Sequence, residues 1–172
     1  MYIQDIQEAE YDEYTAYYLR LVPKSVEFFE ALDASTQRTI QFFKNIPEEK
    51  HEYRYEVGKW TPKDVLQHLI DVERIFAYRA LRFARKETAH LSGFEPDDYG
   101  QMALANRRTM NNLLEEYHIT RRSTRLLLQS FDTDMLTSTG VASGLSISVR
   151  AIGFKLIGHD SHHCGIVEER YL

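Results

Sequence analysis

The stretch from Ile152 to Ile166 puts two histidines where a helix keeps its apolar side chains. Ile152, Leu156, His159, His163 and Ile166 follow one another at spacings of four, three, four and three, which is a single face of an α-helix. His159 and His163 lie one turn apart on that face, with roughly 5–6 Å between their Cβ atoms. A face of this kind has to be covered by other elements. Covered imidazoles without a partner forfeit their hydration, so the fold must bring them an acceptor, a carboxylate or a cation. An isolated H-x-x-x-H also occurs on surfaces and in satisfied cores, and the rest of the chain decides between these readings.

A chain of 172 residues, 43% hydrophobic and 27% charged, is sized for one globular domain spanning 1–172 with a core of its own. Its 26 acidic and 21 basic residues give a net charge of −5, and the Lys and Arg are scattered, so no basic field is offered to nucleic acid. The lone cysteine, Cys164, cannot form an internal disulfide. Neither a basic start followed by an apolar run nor a membrane-length apolar segment is present. The expectation is a soluble, reduced, cytoplasmic protein that engages neither membrane nor nucleic acid.

Residues 1–24, rich in Tyr and acidic side chains, read as an arm draped over the core, with room for a helical turn. A first helix is expected over about 26–45, with Ser25 as N-cap and Phe28, Phe29, Leu32, Ile40 and Phe43 inward; Pro47 ends it. The second begins sharply at Thr61-Pro62-Lys63-Asp64, where Thr61 caps, Pro62 fills the first helical position and Asp64 completes a capping box. Its stripe is Val65, Leu69, Val72 and Phe76, and His68 shares that face. Trp60 stands just before the cap, placed to pack on the helix entry.

Periodicity stops near Lys86, and residues 87–100, with Gly93, Pro96 and Gly100, read as a loop long enough to cross a bundle end. A third helix is expected over about 102–130, with Met110, Leu114, Tyr117, Thr124, Leu128 and Phe131 on one stripe and Arg121 within it. Residues 132–146 read as a second long loop. Ser146 or Ser148 then caps the fourth helix. Four amphipathic helices with long connections predict an all-α four-helix bundle whose site lies between facing helices.

Three inward histidines, one from the second helix and two from the fourth, change the weighing. Three imidazoles on a divalent ion leave a position open for water or substrate, as catalytic zinc sites do. Cys164 falls off the His163 face by roughly 100°, which excludes a cysteine-rich structural site.

Several segments together resemble the DinB/YfiT-like metalloproteins: Tyr55-Glu56-Val57-Gly58-Lys59-Trp60-Thr61, His68-Leu69-Ile70-Asp71-Val72-Glu73-Arg74 with Tyr78-Arg79-Ala80-Leu81-Arg82 behind it, Leu91-Ser92-Gly93-Phe94, and Gly158-His159-Asp160-Ser161-His162-His163. The resemblance implies an up-down-down-up bundle, a homodimer, and a nickel, zinc or other divalent ion held by His68, His159 and His163. It also implies small-molecule chemistry, since relatives include thiol-S-transferases using low-molecular-weight thiols, mycothiol-dependent isomerases and hydrolases.

His162, three residues after His159, is the alternative to His163, although it leaves the apolar stripe. Asp71, one turn beyond His68, is a candidate base or a support for a ligand ring, or simply a solvated helix charge. Asp160 stands where H-E-x-x-H proteases carry a Glu, but its side chain is one methylene shorter. Arg79, Arg82 and Arg121 are candidates for holding the carboxylates of a thiol cosubstrate, set against the plain reading of surface arginines. The functional expectation is metal-dependent thiol S-transfer or hydrolysis of a small molecule, with a non-catalytic metal-binding or ligand-sensing bundle as the alternative.

Overall fold

The second predicted helix starts where its capping residues put it. In the computed structural model, which spans Met1–Leu172, the Thr61 hydroxyl accepts from the Asp64 N–H, the Asp64 carboxylate accepts from the Thr61 N–H, and Pro62 holds the first helical position. The elements in order are α1 (Glu13–Leu19), α2 (Phe28–Lys44), α3 (Pro62–Ala84), α4 (Pro96–Ala103), α5 (Met110–Gln129), α6 (Thr133–Thr137), the hairpin β1 (Thr139–Ala142) and β2 (Leu145–Ser148), and α7 (Val149–Tyr171). The long helices α2, α3, α5 and α7 form the bundle. No helix is long and apolar enough to cross a membrane.

Cross-helix contacts give the directions. Gln67 meets Arg108 and Glu73 meets Arg121, so α3 and α5 run parallel. Ser35 meets Asp160 and Thr39 meets Cys164, so α2 and α7 run parallel as well. The Tyr171 hydroxyl donates to the Trp60 carbonyl just before α3, while His68 lies against His159, so α3 and α7 are antiparallel. The bundle is therefore up-down-down-up, with α2 and α3 each packed between α5 and α7. Parallel α3 and α5 require the chain to travel back along the whole bundle between them, which is what the long 85–109 connection does.

Four local expectations are corrected. The first bundle helix is capped by Glu27, whose carboxylate accepts from the Phe29 N–H at 2.8 Å, and not by Ser25. The expected loop over 87–100 includes the start of α4, whose Pro96 at the first turn, followed by Asp97 and Asp98, is an ordinary helix opening. The expected third helix is broken at Leu104, which adopts a left-handed φ of 52°, and restarts at the Thr109 cap. The expected loop over 132–146 holds α6 and the hairpin, turned at Ser143 and Gly144 with φ of 54° and 77°, a pair of left-handed residues suited to a two-residue turn. Ser148, of the two serines, caps α7.

The arm packs on α7 through α1. A Cβ at Gly158 would stand 2.0 Å from the Tyr18 carbonyl oxygen, so only glycine permits that approach. The hydrophobic interior is in two parts, one including Leu32, Val72, Leu128 and Ile157, the other Phe43, Ile70, Tyr117 and Val167. Between them the helices contribute buried polar groups: Ser35, Glu73, Arg121, Asp160, His68 and His159.

Candidate metal centre

His68 reaches the bundle interior because it shares the face of Val65 and Val72, and His159 and His163 because they continue the face of Ile152 and Leu156. Their Nε2 atoms converge. His159 Nε2 lies 3.2 Å from His68 Nε2 and 3.1 Å from His163 Nε2, and the three donor atoms all fall within 4.8 Å of one another. The Trp60 ring covers His68 at 4.8 Å between centroids, and Tyr18 of α1 meets His159 edge-on at 5.5 Å.

Burial, reinforced by the nearby His162, pushes His68 down to about 4. Burial likewise holds His159 and His163 well below the ordinary imidazole range, with His163 and His68 adding to the penalty for charge at His159 and His68 adding to it at His163. The trio is therefore neutral near pH 7, and a neutral ring has one nitrogen without a proton. No carboxylate or carbonyl stands among the three Nε2 atoms. A cation would satisfy all three lone pairs at once, and the two nitrogen pairs about 3 Å apart, His159 with His68 and His159 with His163, match a shell with bonds near 2.0–2.1 Å. The donor set thus fits one divalent ion.

Behind the trio lies a buried charge network. Asp160 Oδ2 accepts from Tyr117 OH at 2.7 Å, from Arg121 Nη2 at 2.9 Å and from Ser35 Oγ at 3.2 Å. Arg121 Nε also faces both Glu73 oxygens at 2.9 Å. Burial raises the Glu73 carboxyl while Arg121 opposes the rise, and the two carboxylates overcome burial to hold Arg121 charged. Asp160 adjoins His159 in sequence, so bonds from α2 and α5 set the rotation of α7 that aims its histidines. The Cys164 thiol, pushed up to about 12 chiefly by burial, is no nucleophile at neutral pH.

Two cavities reach the trio through different histidines. One, of about 730 Å³, touches His163 and is walled by Trp60, Tyr171, Arg54 and Arg107 among others. The other, of about 250 Å³, touches His159 and is walled by Phe76, Arg79, Phe94 and Lys155.

The sequence pattern of the DinB superfamily matches residues 31–167. The chain belongs to the DinB superfamily. Among solved structures, it is similar to YfiT from Bacillus subtilis, with a TM-score of 0.74 and 14% identity over 86% of this chain and 89% of that one. YfiT is described as a probable metal-dependent hydrolase with an unusual four-helix bundle topology. At that identity the likeness shows the shared fold. No curated protein matches the sequence.

In this DinB-superfamily chain the three histidines named from sequence come together, and the alternative, His162, points elsewhere: its Nδ1 meets Tyr17 OH at 2.9 Å. Arg79 reaches the cavity beside His159, donating to the Ser92 carbonyl at 3.2 Å and to Ser143 Oγ at 3.0 Å. Arg121 does not reach either cavity, because Glu73 and Asp160 take its guanidinium. Asp71 does not reach them either. It accepts from Gln67 at 2.9 Å, lies near Arg74, and faces a separate groove with Tyr99 and Met102, where burial raises its carboxyl. Asp160 is turned into the core network. Sequence reasoning passed over Glu73 and Lys155, yet both were findable: Glu73 is four residues after Leu69, and Lys155 is four before His159 on the same face.

Proposed function

We propose that this DinB-superfamily protein is a metal-dependent enzyme that transfers a low-molecular-weight thiol to a small electrophile at the His68–His159–His163 trio. The observation that carries this is the pair of cavities meeting the trio at different ligands, which gives two reactants separate approaches to one centre. A divalent ion, with nickel or zinc suited to three imidazoles, would supply a Lewis acid that acidifies a thiol or water beside it. The chain's own part is positioning. Neutral imidazoles leave the ion's charge uncancelled, Trp60 and Tyr18 exclude water from two ligand rings, and the arginines of the larger cavity offer forks for the carboxylates of a thiol cosubstrate. In the transfer, the thiol sulfur bonds to the electrophilic carbon, the leaving group departs with its electron pair, and the thiol proton passes to water. No side chain serves as nucleophile, in keeping with the raised Cys164 thiol.

Hydrolysis at the same centre is the second reading, favoured by the description of YfiT. Both readings place the protein in the cytoplasm as a homodimer acting on a small molecule. The test is elemental analysis of the purified protein, then a panel of bacillithiol, mycothiol, glutathione and cysteine against a chromogenic electrophile, with simple esters and amides in parallel. Thiol-dependent product formation that His68→Ala abolishes is the expected result. Ester or amide cleavage without thiol selects hydrolysis, and a fully metalated protein inert to the whole panel selects a non-catalytic, ligand-sensing bundle.

A further inference from the structure

Lys155 and Arg79 are both buried, at 7% and 6% exposure, and neither forms an ion pair. Buried cations are ordinarily paired, because burial of an uncompensated charge is costly. These two border the same cavity of about 250 Å³ that reaches His159. They flank one ring, with Lys155 Nζ 4.8 Å and the Arg79 guanidinium carbon 5.0 Å from the Phe76 centroid. Lys155 has as its polar partner only the Thr15 hydroxyl, at 3.3 Å. That hydroxyl donates onward to Asp12, the one carboxylate bordering the cavity, which is occupied in capping α1. The remaining walls are largely apolar, including Phe94, Leu145, Ile147 and Val72.

We infer that this cavity binds the carboxylate of a small monocarboxylate with an apolar or aromatic body, held between Lys155 and Arg79 and pointing its far end toward His159. The inference rests on the proposed function for the identity of the bound molecule as the electrophilic substrate; the binding site itself stands on the cavity and its two cations. Charge selects the ligand: two cations offset by Asp12 leave about one positive charge, which a carboxylate matches and a phosphate dianion exceeds. Shape agrees, since an apolar cavity of about 150 Å³ is known to hold benzene, and the Arg79 fork suits a planar carboxylate. Phe76 and Phe94, each beside the Arg79 guanidinium, provide the surfaces on which an aromatic body would lie.

The experiment titrates benzoate, its neutral isostere benzamide, and inorganic phosphate into the purified full chain, followed by amide chemical shifts. Benzoate should saturate with shifts centred on Phe76, Phe94 and Ser143, benzamide should bind about tenfold more weakly or worse, and phosphate should leave these amides unmoved. Lys155→Met and Arg79→Gln should each weaken benzoate by about tenfold or more. Lys155→Met should in addition raise the melting temperature of the ligand-free protein, because it removes an unpaired buried charge at nearly constant volume. Equal binding of benzoate and benzamide, tighter binding of phosphate than of benzoate, or unchanged benzoate affinity in Lys155→Met would each overturn the inference. If Arg79→Gln fails to fold, Lys155→Met still decides. Metal content and thiol transfer are measured on the same samples: transfer without benzoate binding sinks the substrate class alone, and benzoate binding without metal or transfer sinks the proposed function alone.

Discussion

His162 and His163 are neighbours with opposite surroundings, and that difference is measurable. His163 Nε2 stands 3.1 Å from His159 Nε2, whereas His162 is engaged by Tyr17 at the arm. His163→Ala is expected to lose most bound divalent ion, with His162→Ala staying near full occupancy, by elemental analysis after dialysis. The reverse result would reject the trio. Arg121 makes a second test. It compensates two carboxylates that are almost wholly buried, so Arg121→Ala leaves Glu73 and Asp160 uncompensated. Urea unfolding should show a loss of about 3–5 kcal/mol. A loss below about 1 kcal/mol, the range of exposed pairs, would mean that water reaches the network.

At its tightest point the arm meets α7 where a side chain is missing. Gly158→Ala puts a methyl group against the Tyr18 carbonyl, and backbone on both sides leaves nothing flexible to yield. The expected cost is about 1–3 kcal/mol, as for other overpacked contacts. The structural consequence should be local: α1 lifts, Tyr18 leaves His159, and residues 1–24 become open to limited proteolysis while the bundle remains folded. An unchanged digestion pattern would contradict this. The hairpin has an analogous contact, since Gly140 lies against the Phe83 ring at the end of α3.

Anchoring of the arm also sets an acid limit for the fold. Arg150 of α7 donates to Glu10 from Nε at 2.8 Å and also from Nη2. Burial raises the Glu10 carboxyl, but Arg150, the Gln7 N–H and Ser148 outweigh it and hold the group at about 2. A carboxylate with a depressed folded pKa contributes stability above its ordinary value of 4.5, and that contribution drains away as pH falls toward about 2. Glu10→Gln should therefore melt below the wild type at pH 7, with the gap narrowing below pH 4.5; a gap independent of pH would point to packing instead. Assembly is tested by mass in solution. The proposed homodimer rests mainly on the family resemblance and partly on the aromatic arm near Tyr17 and Tyr18, of which Tyr17 is exposed and Tyr18 buried within the chain, and a monomeric mass at micromolar concentration would remove it. Adding nickel or zinc in excess should raise the melting temperature and a chelator should reverse it, as mass action requires of an ion bound only by the folded state.

Much of this protein is legible residue by residue because helix geometry is local. The Thr61–Asp64 cap, the Tyr117–Arg121–Thr124–Leu128 stripe and the inward aim of His68, His159 and His163 all follow from which positions recur every three or four residues. The same rule hid the break at Leu104, since a stripe can run on through a turn of suitable length. Periodicity says which way a side chain faces but not what it meets. Asp71 is expected from sequence as a base or ligand-ring support and Arg121 as an anchor for carboxylates, and their partners are decided only by α5 lying parallel to α3, which hands Arg121 to Glu73 and Asp160 and leaves Asp71 to Gln67 and Arg74. Lys155 and Arg79 lie on different helices, and their shared cavity exists because antiparallel α3 and α7 bring both positions to the Phe76 ring beneath a hairpin that no local pattern announced. Local sequence decided the faces, and the packing of the faces decided which charges are paired and which remain free for a ligand.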